Sequence, residues 1–131
     1  MNAQAVHEVL TKNWAGDLTF PEVVRRLLEL GAESYLCDFA TGAETVYMHD
    51  GQVYIETIKQ LLWPISENFS RTGLVSAIDA AQSDTIRYPE FMKLATAGGV
   101  IAYWAFLTGG RVIYFGRKGE QHIEEFPPAK P

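Results

Sequence analysis

Apolar residues recur at helical spacing at Val6, Val9, Leu10 and Trp14, with Glu8 and Lys12 on the opposite side and Gly16 placed to end the helix. Leu74, Ala77, Ile78 and Ala81 repeat the spacing. Phe20-Pro21-Glu22 and Tyr88-Pro89-Glu90 then suit the first turn of a second helix in each half. There proline gives up a backbone donor that has no partner anyway, and the carboxylate meets the positive end of the helix dipole. Thr19 to Glu22 reads as a capping box, which Arg87 breaks in the second half. These helices bury Val23, Val24, Leu27, Leu28 and Leu30 in one half and Phe91, Leu94 and Ala95 in the other. Gly31 and Gly98-Gly99 stop them.

Strand-forming stretches follow at Glu33 to Phe39 and Val100 to Leu107. Turns at Thr41-Gly42 and Thr108-Gly109-Gly110 lead into second strands at Thr45 to His49 and Arg111 to Phe115. Gly51 and Gly119 turn the chain again into third strands, Gln52 to Thr57 and Glu120 to Phe126. The halves keep step with a shift of 67 to 68 positions and one single-residue slip after the first Thr-Gly. That register pairs Tyr35 with Tyr103 and Val46-Tyr47 with Ile113-Tyr114. It indicates an internal duplication of a helix-helix-strand-strand-strand unit. The expected fold class is α+β, a single domain over 1–131 with a six-stranded, largely antiparallel sheet packed with helices. Repeats at about 1–57 and 69–126 flank a connector at about 58–68, where Leu61-Leu62-Trp63-Pro64 reads as a short apolar helix. The tail 127–131, rich in proline, is expected to fray.

Side-chain parity adds a constraint. Ile101, Tyr103, Ala105 and Leu107 point one way, and Val100, Ala102, Trp104 and Phe106 the other, so both faces of that strand are apolar. The second face therefore needs a cover: another layer of helices, a partner subunit or a ligand.

With 131 residues and 14.6 kDa the chain suffices for one domain, and the two halves are expected to share one core. A net charge of −5 argues against nucleic acid or a membrane surface recognised by electrostatics. The one cysteine, Cys37, has no internal disulfide partner, and Met1-Asn2-Ala3-Gln4 lacks the pattern of a secretion signal. A cytoplasmic protein is expected.

Several runs also carry a family resemblance: Ile86-Arg87-Tyr88-Pro89-Glu90-Phe91, Ala97-Gly98-Gly99-Val100, Tyr103-Trp104, Gly110 to Gly116 and His122 to Pro127. Phe20 to Val24 and Gly31 to Asp38 carry it in the first half. The set resembles a family of small bacterial domains of unknown function whose members bear the label "phage envelope protein" (YbcV-like). The resemblance implies an α+β fold and a bacterial or phage-derived origin, and brings no activity, cofactor or catalytic residue with it.

Candidate chemistry is sparse. His122 and Glu124 leave one face of a strand, where a carboxylate can orient an imidazole. The first half keeps the carboxylate as Glu56 but has Tyr54 in place of the histidine, so a cross-strand ion pair or hydrogen bond is the simpler reading. His49 precedes a turn, and would meet His122 only if the third strands lay near the two-fold axis. Three scattered histidines do not make a metal site. Cys37-Asp38 offers a nucleophile beside an acid, but no neighbouring histidine to activate it. Glu22 and Glu90 are accounted for by helix dipoles.

Among the aromatic residues, Tyr35, Tyr103, Trp104, Tyr47, Tyr114 and Phe115 would either line a pocket for a flat ligand or form core. The expectation is a non-enzymatic binding or interaction module, homodimeric, with no metal or cofactor. The alternative is a small-molecule sensor or enzyme with a cleft between the repeats. Its ligand-binding candidates are Tyr35, His49, Tyr103, Trp104, His122 and Glu124.

Overall fold

Four helices form among the described residues, and local chemistry accounts for how they begin. In the computed structural model, which describes residues 1–58 and 63–126, α1 (Ala3–Trp14) begins where Asn2 Oδ1 accepts from the Ala5 N–H at 3.1 Å. At α2 (Phe20–Glu29) the capping box is complete. Thr19 Oγ1 accepts from the Glu22 N–H, and Glu22 Oε1 accepts from the Thr19 N–H at 3.0 Å. The Thr19 N–H and hydroxyl, both donating to Oε1, hold the Glu22 carboxyl below its ordinary range. Ser70 caps α3 (Arg71–Gln82) through the Gly73 N–H. Arg87 stands at the cap position of α4 (Tyr88–Ala97) without a capping bond, and its guanidinium reaches Asp84 and the carbonyl oxygen of Gly16 instead.

Among the described residues six strands, β1 (Ala32–Asp38), β2 (Ala43–Met48), β3 (Val53–Thr57), β4 (Val100–Phe106), β5 (Arg111–Gly116) and β6 (Gln121–Glu125), make one sheet in the order β3-β2-β1-β4-β5-β6. Every neighbouring pair is antiparallel. The first strand of each half therefore lies at the centre, and the third strands form the two edges.

The five elements of the first half start at residues 3, 20, 32, 43 and 53, those of the second at 71, 88, 100, 111 and 121, a constant shift of 68. Residues with positive φ obey the same shift: Gly16 and Asp84, Gly31 and Gly99, Gly42 and Gly110, Gly51 and Gly119. The slip expected after Thr41-Gly42 is therefore absent. Matching Thr-Gly with Thr108-Gly109 followed residue identity, whereas the backbone aligns the turn glycines that must be left-handed. In this register Val46, not Tyr47, corresponds to Tyr114.

Helices α1 to α4 pack on one face of the sheet, and the core lies between. Val6, Leu10, Val23 and Leu27 meet Tyr35, Val46, Val100 and Tyr103 there. Bulges between Ala32 and Ser34 and between Val100 and Ala102 break the strand alternation. Val100, which simple parity assigns to the face of Trp104, is consequently turned into the core and fully buried.

The other sheet face carries no helix among the described residues. Leu61 and Leu62 of the expected connector helix lie outside the described residues, as does the tail 127–131, while Trp63 and Pro64 are not helical. Residues 63–70 bind the second half: Ser66 N donates to Thr96 O, Ser70 N to Gly98 O, and Arg117 to Ile65 O. Among the described residues no helix is long and apolar enough to cross a membrane.

Candidate functional site

The strand registers align one row of side chains across all six strands on the helical face: Glu56, Glu44, Cys37, Tyr103, Tyr114 and His122. Each carries a heteroatom, in the layer where core residues are expected. One position along, the row on the opposite face reads Ile55, Thr45, Leu36, Trp104, Ile113 and Ile123. The sheet thus places a polar row under its helices and an almost wholly apolar row towards the open side.

Glu44 is the least expected member. It is fully buried; Trp14 donates its indole N–H to Oε2 at 2.7 Å, and Oε1 has no partner among the described residues. Burial pushes the carboxyl up to about 8, against the pull of the Trp14 bond and with a further push from Glu56. Keeping the proton costs the group far less than holding an isolated charge in the core, so Glu44 is a neutral acid at pH 7.

Next along the row, Cys37 Sγ lies 3.3 Å from the Tyr88 hydroxyl, which is 2.6 Å from that of Tyr103. Tyr35 packs edge-on against Tyr103, the ring centroids 5.9 Å apart. Burial pushes the pKa values of Tyr35, Cys37, Tyr88 and Tyr103 well above their ordinary range. These groups are neutral hydrogen-bonding partners. A thiol without a thiolate and hydroxyls without a base do not form an activated nucleophile.

The two ends of the row are tied to the helices. His7 Nδ1 on α1 donates to both Glu56 oxygens at 2.6 and 2.8 Å, and the Tyr54 hydroxyl donates to Glu56 Oε2 at 2.9 Å. Burial and the neighbouring Glu56 push the Tyr54 phenol up to about 12. At the other edge Arg71 donates to His122 Nδ1 at 3.1 Å. This leaves the ring proton on Nε2, which donates to Glu124 Oε2 at 3.0 Å. His122 and Glu124 are thus hydrogen-bonded to each other along β6, on the helical face of the sheet, and not across strands.

A cleft of about 70 Å³ opens between the halves, with Tyr103, Val112 and Tyr114 of the sheet, Gln82 and Tyr88 of the helices, and Glu124 among its lining. Asn13, Leu18 and Phe20 supply the wall from the first half.

Of the six candidates read from sequence, Tyr103 and Glu124 meet in this cleft. Tyr35 is core, and His122 supports Glu124 from behind. Trp104 lies on the opposite sheet face, stacked with Tyr47 and Phe106 at centroid separations of 5.6 and 5.2 Å. His49 is exposed at the β2–β3 turn and does not meet His122, because β3 and β6 are opposite edges of the sheet. The aromatic set is split likewise: Tyr35, Tyr103 and Tyr114 face the helices, while Tyr47, Trp104 and Phe115 face away. Asp38 does not orient Cys37; it points from the other face and accepts from the Ala40 and Thr41 N–H groups of a turn. Among the described residues, no group of three His, Cys, Asp or Glu side chains is placed to hold a metal.

Sequence reasoning missed Glu44 and Trp14. The signal was present, since Glu44 alternates in phase with Val46 and Met48 and corresponds to Val112 in the other half.

Residues 7–125 match a family described as "Protein of unknown function (DUF1398)". No curated protein matches the chain.

Proposed function

The chain belongs to the DUF1398 family, and we propose that it acts as a non-enzymatic interaction module that pairs with a second copy of itself through the open face of the sheet. One observation carries this reading: the apolar row from Ile55 to Ile123, with Trp104 near its centre, is covered by nothing among the described residues. Ile55 is 63% exposed and Ile123 49%. Trp104 is held by stacking and by its N–H bond to Ser34 Oγ at 3.2 Å, the kind of fixed aromatic anchor that dominates interface energies.

Size and charge both favour a second copy. Five strand spacings of about 4.8 Å, and strands of five to seven residues, make the face roughly 500 Å² in projection. Side chains standing out of that plane raise its accessible area towards the roughly 600–1,000 Å² per partner that a stable interface buries. Although the chain carries −5 overall, the charges on this face are few. Arg111 and Glu125 pair at 3.1 Å, and Asp38 lies at one end. Like charges therefore do not oppose self-association. The approximate two-fold between β1 and β4 lets one surface meet its own copy, as two sheets packed about 10 Å apart. We further propose that the halves arose by duplication, and that the protein works in the cytoplasm, where Cys37 stays a thiol.

Light scattering tests the pairing. The wild-type protein is expected at twice 14.6 kDa and Trp104→Arg at 14.6 kDa, with circular dichroism unchanged because Trp104 lies outside the core cluster. A wild-type monomer throughout the micromolar range overturns the proposal.

A further inference from the structure

Trp14 is the last residue of α1, and its N–H seals Glu44 beneath it. With the constant shift of 68, the corresponding residues are Gln82 at the end of α3 and Val112 on β5. Gln82 is exposed, so among the described residues no side chain plays the part of the Trp14 indole in the second half. The cleft opens there, with Gln82 and Val112 both in its lining. The same two-helix-on-sheet frame thus seats an indole in one half and has an opening at the matching place in the other.

From this we infer that the cleft is a binding site for a small planar aromatic molecule carrying an N–H donor, of the indole class. Its chemistry fits that guest. Tyr103 and Tyr114, with ring centroids 5.7 Å apart, and Phe91, 6.1 Å from Tyr114, offer aromatic surface. Val112 removes the acceptor that Glu44 supplies in the first half. The acceptor on this side is Glu124, whose carboxylate is partly exposed and fixed by His122. The enclosed space of about 70 Å³ is smaller than the roughly 150 Å³ of a closed cavity that takes benzene. A flat ring therefore enters by one edge, and the rest of the molecule occupies the mouth.

Charge narrows the class. Glu124 stands at the lining, whereas the Glu125 carboxylate turns to Arg111 on the opposite sheet face, and the cation among the described lining residues, Arg87, is engaged by Asp84 at 2.6 Å and by Gly16 O at 3.0 Å. The site favours a neutral or cationic aromatic over a carboxylated one. The cleft lies on the helical side of the sheet, so this site goes beyond self-association and does not depend on it.

The test is an NMR titration of the full chain with indole, tryptamine and indole-3-acetate. Saturable shifts are expected at Gln82, Tyr103, Tyr114 and Glu124, with tryptamine at least tenfold tighter than indole-3-acetate. Gln82→Trp with Val112→Glu rebuilds the first-half pair and is expected to weaken indole at least tenfold with the fold intact. If that double variant does not fold, Gln82→Trp alone, a change at an exposed position, carries the same expectation. No saturable shift at these residues with any probe at millimolar concentration overturns the inference. So does undiminished indole binding by the folded variant, or tighter binding of indole-3-acetate than of tryptamine.

Discussion

The indole N–H of Trp14 donates to a carboxyl group, Glu44 Oε2, that solvent does not reach. An acid kept protonated in the core couples folding to pH. The folded protein holds this proton to about pH 8, whereas a free glutamate releases it near 4.5. The raised value therefore stabilises the fold fully below about 4.5, and that contribution is lost as pH climbs to about 8.

Glu44→Gln keeps an acceptor for Trp14 and removes the titration. Urea unfolding is expected to show wild-type stability falling by a few kcal/mol between pH 5 and pH 8, and a much flatter profile for the variant. The variant is expected to be the more stable of the two at pH 8. Parallel profiles would show that Glu44 does not govern this window.

Gly31 and Gly99 occupy matching left-handed positions, at φ 91° and 83°, yet their surroundings differ. A Cβ on Gly31 meets only Met48 Cε at 3.8 Å. On Gly99 it would run into the Asn68 carbonyl and lie 2.8 Å from Phe69 Cα, because residues 68–69 pack against this glycine. Gly31→Ala is expected to cost about 1–2 kcal/mol, the strain of left-handed backbone. Gly99→Ala is expected to cost at least twice that, read from urea midpoints. Equal losses would contradict the close packing of residues 68–69.

Cys37 is buried against Tyr88, and burial pushes its thiol pKa up. An aromatic disulfide reagent is therefore expected to label it at a rate set by opening of the structure, rising steeply with urea. Rapid labelling of the native protein would show a thiol far more accessible than the packing allows.

Local chemistry made the elements legible. Thr19 and Glu22, the proline-containing first turns and the turn glycines act on neighbours a few residues away, so the helices and strands were readable from their own segments. The apolar content of both β4 faces was readable too, because parity is a property of one strand. Parity failed at Val100, where a bulge inserted an extra residue.

The candidate site was less legible. Glu44 acquires its meaning from Trp14, 30 residues earlier, and Tyr88 from Cys37, 51 residues earlier. His49 and His122 lost their expected meeting because strand order, not sequence distance, separates the third strands.

Periodicity and turn chemistry act over a few residues, so the α+β class, the order of elements and the presence of a second apolar face are already written in the chain. The central place of β1 and β4, the polar row beneath the helices, and the opening where Gln82 stands in place of a tryptophan emerge with the folded sheet. Those outcomes depend on which strands hydrogen-bond side by side. Long-range pairing sets that choice by burying the side chains of both halves in one core.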